Sequence, residues 1–267
     1  MTVVRVGEIE LDYERSGQGP PLLLIMGMSG TALSWGEPFL ELLRRDFDVI
    51  AYDHRGVGAS SRLDGPLTIR EMAGDAEGLL AALELDSAHV LGISMGGMIA
   101  QELALAAPER IRTLTLGCTY CGGEGSQLAA PEALQGLVEA MMSGDRERAL
   151  RASWEINVSP AMADDEDAYA RFVEIATRRR VSVPVIMAQM QACAAHDTQA
   201  RLGQLRMPTL VVHGTLDQLL PVANGRLIGS LIPGAQLEIL DGVGHLFFWE
   251  RPERAAELLR AHAAAYA

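Results

Sequence analysis

Apolar residues follow two different patterns along this chain. Residues Glu8 to Glu14 alternate strictly between acidic and apolar side chains, which predicts a half-buried strand that Gly7 turns back on Val3 to Val6. Later segments are mostly continuous apolar runs, as in parallel strands that are covered on both faces. These strand candidates are residues 22–25, 49–52, 90–93, 114–116 and 210–212, with one further strand at 237–240.

Helical patterns lie between these runs. They cover Pro38 to Arg44, Ile69 to Leu85, Met95 to Ala106, Val222 to Leu231 and Pro252 to Tyr266. Strands that alternate with helices through short connections predict an α/β fold with a doubly wound, mostly parallel sheet. The amino-terminal hairpin is expected to lead into that sheet as its antiparallel edge.

One interval interrupts the alternation. No strand pattern occurs between Cys118 and Met207, and helical patterns cover 131–142, 145–157, 164–180 and 184–195 instead. We therefore predict a core of residues 1–120 and 198–267 with a helical lid, residues 121–197, inserted over the strand ends. The acidic run 164–167 and the arginines 178–180 lie at opposite ends of one predicted helix. There they complement the helix dipole, an interpretation that we favour over substrate binding.

Composition excludes several functions. The net charge is −13 over 267 residues, which argues against nucleic acid or an anionic membrane as a partner. All basic residues are arginine, so a Schiff-base lysine and a phosphate-binding P-loop lysine are both absent. Without an export signal or an apolar span, the chain is expected to be cytoplasmic.

The three cysteines do not predict a metal site. Cys118 and Cys121 have a spacing that is typical of half a zinc site, but no second pair completes it. Three cysteines in a chain without an export signal are expected to be reduced thiols. We therefore predict neither a metal nor a cofactor, and the oligomeric state cannot be read from the sequence.

Ser94 is the candidate nucleophile. The segment from Gly92 to Gly96 places this serine between two glycines, after the apolar run 88–91 and at the start of the helix that begins at Met95. Glycines at this spacing allow a sharp strand-to-helix turn that exposes the serine oxygen. Because so short a pattern arises by chance in a glycine-rich chain, its interpretation depends on the other groups that the reaction needs.

A serine hydroxyl needs a base, and His245 is the best candidate among six histidines. It lies in a glycine-rich loop after the last strand, and such loops meet at the carboxyl edge of a parallel sheet. His54 follows an earlier strand and could approach the same edge. The others lie inside or at the end of strands, near the lid base or in the last helix: His89, His213, His196 and His262.

A buried carboxylate must orient that base. Asp217 follows the strand that ends near His213, which places it on the carboxyl edge, although it could also serve only to cap the next helix. Glu124, in the loop after the preceding strand, is the second candidate. Asp75 lies on a helix that is too far back.

Two backbone N–H groups are expected to form the oxyanion hole. One is Met95, the residue after the nucleophile, and the other is Met28 in the loop from Met26 to Gly30. Ser29, in the same loop, is a rival nucleophile in principle, but nothing places it on a strand-to-helix turn.

With these residues in place, the chain resembles the α/β-hydrolase family over essentially its whole length. Its nucleophile, acid and base follow in that family's order, and three further segments resemble family motifs: residues 53–60, 207–214 and 250–253. The resemblance implies an eight-stranded, mostly parallel sheet flanked by helices. One departure from the family pattern is Met26-Gly27, because many members carry His-Gly at this place. In having Met-Gly there, the chain is similar to the aclacinomycin methylesterases. Lid-bearing relatives include 3-oxoadipate enol-lactonases, cofactor-free haloperoxidases (perhydrolases) and C–C bond hydrolases.

The resulting hypothesis is a serine hydrolase of a small carboxylic ester or lactone. Two enzymatic alternatives use the same three residues: a C–C bond hydrolase and a cofactor-free haloperoxidase. The C–C bond hydrolase would need an arginine for the substrate carboxylate, for which 178–180 are the clustered candidates. A serine at residue 94, rather than an aspartate, argues against dehalogenases and epoxide hydrolases. A non-catalytic ligand-binding protein of the same fold is the alternative from another class.

Overall fold

The computed structural model describes residues 2–266, in which eight strands form one sheet. The strands are β1 (Thr2–Val6), β2 (Ile9–Gly17), β3 (Pro21–Ile25), β4 (Asp48–Tyr52), β5 (Ala88–Ile93), β6 (Ile111–Gly117), β7 (Thr209–Gly214) and β8 (Gln236–Leu240). Their order across the sheet is β1-β2-β4-β3-β5-β6-β7-β8. β2 runs antiparallel to both β1 and β4, and every other neighbouring pair is parallel. The prediction of a mostly parallel, eight-stranded sheet with an antiparallel lead-in is confirmed.

Helices connect the parallel strands and flank the sheet. They are α1 (Glu37–Leu43), α2 (Ile69–Ala82), α3 (Met95–Ala106), α4 (Pro131–Met142), α5 (Arg146–Asn157), α6 (Pro160–Ala163), α7 (Glu166–Arg178), α8 (Val183–Ala194), α9 (Ala223–Leu231), α10 (Phe247–Glu250) and α11 (Pro252–Ala264). The short helices α6 and α10 were not predicted, because four residues are too few for a helical period to be read.

The alternation of side chains along β3 divides the core between the two faces of the sheet. Leu23 and Ile25 pack in the cluster that includes the apolar faces of α2 and α3. Leu22 and Leu24 pack in the second cluster, with α1 and α11. Because both clusters are buried, the central strands are apolar on both faces, which explains their continuous apolar runs.

The interval between β6 and β7 holds the helices α4 to α8, and no strand occurs in residues 118–208. We call residues 121–197 the helical insertion; its boundaries as a separate lid stay a prediction. A small third cluster around Trp154 and Tyr169 packs against Trp249 and Leu246, which belong to the core after β8. Among residues 2–266, no helix has the length and apolarity to cross a membrane.

Candidate active site

Ser94 lies on a strained turn between β5 and α3. Its backbone has φ 55° and ψ −122°, which a non-glycine residue rarely adopts and which costs about 1–3 kcal/mol. The turn is possible because Gly96 passes close to β3: a Cβ there would lie 1.9 Å from the carbonyl oxygen of Ile25. The Ser94 amide donates to the Gly117 carbonyl (3.0 Å), and its side chain is partly exposed. The turn therefore presents the serine at the carboxyl ends of the strands.

His245 and Asp217 come from the loops after β8 and β7 and meet at the same edge. The Nδ1 of His245 lies 2.7 Å from the Oδ2 of Asp217. Because an ionised carboxylate can only accept, Nδ1 carries the proton, and in the neutral ring Nε2 is left as an acceptor. The other carboxylate oxygen accepts from the amides of Leu219 and Leu220, both at 2.9 Å. Asp217 thus both caps the turn after β7 and orients His245.

A second histidine contacts the same carboxylate. The Nε2 of His213, at the end of β7, lies 2.7 Å from the Leu220 carbonyl and 3.2 Å from the Asp217 carboxylate. The carbonyl can only accept, so Nε2 is the donor, while the buried Nδ1 has no partner among residues 2–266. Sequence reasoning set His213 aside as a strand residue. Its four-residue spacing to Asp217 is the signal that could have identified it.

The charge of Asp217 is stabilised in spite of its burial. Desolvation raises the pKa of this carboxyl, but His245 and His213 outweigh that effect through charge and hydrogen bonding. The net result is a pKa well below the usual aspartate range. Asp217 is therefore ionised at neutral and mildly acidic pH.

Glu250, which the sequence did not single out, braces the loop that carries His245. Its buried carboxylate accepts from the Gly244 amide (2.7 Å) and from the amide of Ser159 (2.9 Å), and it also pairs with the Ser159 hydroxyl. Ser159 caps α6 in the helical insertion. One side chain thus joins the loop of the candidate base to the insertion.

The loop from Met26 to Gly30 lies against Ser94. A Cβ added to Gly27 would lie 3.1 Å from the Ser94 Cβ, so a larger residue there would push the loop and Ser94 slightly apart. The Nε2 of His54 donates to the Met26 carbonyl (2.8 Å), and the Ser29 amide donates to the side chain of Gln189 (2.9 Å). These bonds support the loop from Met26 to Gly30. Burial lowers the pKa of His54 and keeps its ring neutral.

The candidate oxyanion donors differ in burial, and so do the two alternative acids. Met95 begins α3 and is fully buried, whereas the side chain of Met28 is 36% exposed on the loop surface. Glu124 is exposed, and Asp75 is paired with Arg55 (2.7 Å). Among residues 2–266, the Ser94 hydroxyl makes no hydrogen bond, so none links it to His245. Such contacts often tighten only when substrate binds.

A family model described as the alpha/beta hydrolase family matches residues 22–258 of the chain. The chain belongs to the alpha/beta hydrolase family. The match includes the Ser94 turn and the loops that carry Asp217 and His245.

Among similar alpha/beta hydrolases is a putative carbamate hydrolase, RutD, from Azorhizobium caulinodans. It is 34% identical over 95% of this chain and 94% of the relative. The rhodomycin D methylesterase DauP of a Streptomyces species is 31% identical over 91% of this chain and 90% of the relative. A solved structure of a hydrolase from Pseudomonas aeruginosa has a TM-score of 0.83 and 29% identity, covering 98% and 97% of the two chains. The predicted resemblance to the family and to its methylesterases is confirmed.

Arg179, which follows α7, has a structural role in this alpha/beta hydrolase. Arg179 lies 2.5 Å from the Asp12 carboxylate and 2.6 Å from that of Asp53, and both carboxylates are buried. Arg178 and Arg180 are exposed. Since Arg179 is engaged with two core aspartates, it is not available to bind a substrate carboxylate.

One group of side chains is close enough to hold a metal ion among the described residues. The ligand atoms of Cys118, Asp217 and His245 lie within 4.8 Å of one another. Burial, followed by the negative charge of Asp217, raises the pKa of the Cys118 thiol well above its usual range. Because metals bind the thiolate, this environment does not favour a metal site. That the protein needs no cofactor stays a prediction.

Proposed function

We propose that this protein is a serine hydrolase that cleaves a small carboxylic ester or lactone through an acyl-enzyme at Ser94. The observation that carries the proposal is the hydrogen bond from His245 to Asp217, at the same sheet edge as the strained Ser94 turn. Esterase relatives over nearly the whole chain support a carboxylic ester hydrolase and a small-molecule substrate.

In the proposed reaction, the Ser94 oxygen attacks the carbonyl carbon while His245 Nε2 takes the hydroxyl proton. The charge on the resulting imidazolium is stabilised by Asp217. The amides of Met28 and Met95 donate to the oxyanion. Collapse of the tetrahedral intermediate releases the alcohol, which takes its proton from His245. A water molecule then attacks the acyl-enzyme by the same route and regenerates Ser94.

We also propose that the acyl group is apolar, because exposed methionines lie on the loop of Met28 and on α8, the helix that bonds to this loop. Met28 on the candidate oxyanion loop is 36% exposed, and Met187 and Met190 on α8 are each 46% exposed. Methionine is unbranched and polarisable, so it adapts to apolar substrates of different shape. We also propose that residues 121–197 act as a lid over this edge, because the insertion contacts the loop of Met28 and the loop of His245.

A carbamate is the second candidate substrate. It presents the same carbonyl to Ser94, and a relative described as a putative carbamate hydrolase is 34% identical to this chain. The C–C bond hydrolase is less well supported, because Arg179 is engaged with Asp12 and Asp53. The haloperoxidase alternative would use the same residues with peroxide in place of water. A ligand-binding protein would need no strained Ser94.

The proposal is tested with p-nitrophenyl butyrate and a fluorophosphonate probe. Wild-type protein should hydrolyse the ester and be labelled at Ser94, and Ser94→Ala should lose at least about 10³-fold in kcat and all labelling. Ser230→Ala is the matched control, since Ser230 is exposed on α9 and bonds only within its own helix. Full activity in Ser94→Ala would exclude the assigned nucleophile. Absence of an adduct in the wild type would favour the ligand-binding alternative. Phenyl carbamates matched to the ester test whether the protein hydrolyses a carbamate, the second candidate substrate, in preference to an ester.

A further inference from the structure

Gln189 on α8 is fully buried, yet it belongs to none of the catalytic groups described above. Its Oε1 accepts the Ser29 amide at 2.9 Å. Within residues 2–266, this is the one hydrogen bond that links a side chain of the helical insertion to the loop from Met26 to Gly30. The bond spans 160 residues of sequence. Hydrogen bonding between the insertion and the candidate oxyanion loop therefore depends on a single side-chain amide.

The orientation of that amide follows from its partner. A backbone N–H can only donate, so the atom facing Ser29 must be oxygen and the other must be the NH₂ group. This Nε2 is buried and has no acceptor among the described residues. A buried, unpaired donor is destabilising, and an apolar side chain of similar volume would avoid that cost. Glutamine at residue 189 thus lowers stability through its unpaired NH₂, whereas its Oε1 holds the Ser29 amide.

The loop explains why holding Ser29 matters. His54 fixes the peptide between Met26 and Gly27 through the Met26 carbonyl. Gln189 fixes the peptide between Met28 and Ser29 through the Ser29 amide, and Ser29 has a left-handed φ of 60°. The peptide between Gly27 and Met28 lies between these two, and it carries the Met28 N–H that is expected to bind the oxyanion. Its carbonyl accepts only a long bond, 3.3 Å, from the Gly30 amide.

We propose that Gln189 is a positioning residue that sets the orientation of the Met28 N–H, so that the oxyanion hole is complete only while α8 is docked. The inference rests on the proposed serine hydrolase function, which it extends to the helical insertion. Gln189 acts through the loop and touches no reacting atom. Its contribution belongs to the transition state, in which the oxyanion forms, and not to the binding of the ester.

The test compares Gln189→Met with Gln191→Met. Both glutamines lie on α8, but Gln191 is exposed, so the same substitution there controls for helix propensity. For Gln189→Met we expect kcat on p-nitrophenyl butyrate to fall about ten-fold or more, with KM within about two-fold. The inhibition constant of a butylboronic acid, whose tetrahedral adduct places an oxygen in the oxyanion hole, should rise by the same factor as kcat/KM falls. The melting temperature should change little, because removal of the unpaired NH₂ offsets the lost hydrogen bond to the Ser29 amide.

A second readout does not depend on turnover. Hydrogen exchange of the peptide that contains Ser29 should be faster in Gln189→Met than in the wild type and in Gln191→Met. The inference would be overturned if Gln189→Met left both the exchange rate and kcat unchanged. It would also be overturned if Gln189→Met lowered the melting temperature and active-site titration showed that the activity loss came from fewer active molecules. If the wild type hydrolyses no ester, the proposed function fails. The exchange experiment then still decides whether Gln189 holds the loop.

Discussion

At the scale of single residues, the candidate site is organised around one carboxylate. Asp217 accepts from two backbone amides on one oxygen and from two histidines on the other. Burial alone would favour its neutral form, yet the charge and hydrogen bonds of His245 and His213 leave the pKa below the usual range. A charge held this way stabilises the fold as well as the proposed imidazolium.

This arrangement predicts a pH-dependent loss of stability in Asp217→Asn. A carboxyl whose pKa is depressed on folding contributes stability above the pKa of the unfolded chain, about 3.9, and loses it as pH falls through the folded value. Asp217→Asn should therefore lower the unfolding free energy at pH 7 by the order of 2 kcal/mol. The difference from the wild type should shrink below about pH 4. Urea unfolding of both proteins at pH 7, 5 and 3.5 measures this difference in unfolding free energy. A constant difference across that range would contradict the argument.

The sequence predicted which residues follow the strand ends, but not which side chains support them. Ser94, Asp217 and His245 could be proposed because a parallel sheet gathers the loops after its strands at one edge. His213, Gln189 and Glu250 were missed, although they bond directly to that machinery or its loops. Gln189 and Glu250 bond to partners that are 160 and 91 residues away, and no local pattern encodes such packing. His213 is different, because its four-residue spacing to Asp217 is a local signal.

At the scale of elements, long periodic segments were predicted well and short ones were not. α3 and α4 begin and end as predicted, because each presents at least three turns of pattern. The predicted helix at 164–180 is α7, which begins after the capping side chain of Asp165 and carries an acidic first turn and a basic last residue. The charge pattern alone does not predict what the arginines at the end of α7 bind. Arg179, just beyond it, leaves the helix and binds the core.

That contact predicts a large effect of Arg179→Met. The substitution would leave the buried carboxylates of Asp12 and Asp53 without their cation, which should cost about 3 kcal/mol of unfolding free energy. Arg178→Met, at the exposed neighbouring residue, should cost a few tenths of a kcal/mol through the helix dipole. Chemical denaturation compares the two. Limited proteolysis should also cut Arg179→Met faster between α7 and α8, and equal stability of the two variants would refute the role of the ion pair.

At the scale of the whole molecule, the helical insertion is joined to the sheet by several independent contacts. Arg179 contacts β2 and the turn after β4, and Gln189 contacts the loop after β3. Glu250 joins Ser159 to the loop after β8, and the ring of Trp154 lies 5.7 Å from that of Trp249. These contacts surround the carboxyl edge of the sheet. An insertion held at so many points should unfold together with the core.

Trp154→Ala tests this cooperativity. Trp154 is fully buried in the third cluster, so its truncation should cost about 3–5 kcal/mol. Trp154→Phe is the control: it keeps most of the packing and removes an indole N–H that has no partner among residues 2–266, so its cost should stay below about 1.5 kcal/mol. If the contacts at the sheet edge join the two parts, Trp154→Ala should lower one common melting transition, seen alike by circular dichroism and by hydrogen exchange in the insertion and the sheet. An earlier, separate transition confined to residues 121–197 would show instead that the insertion folds as its own unit, and activity should then disappear with that first transition.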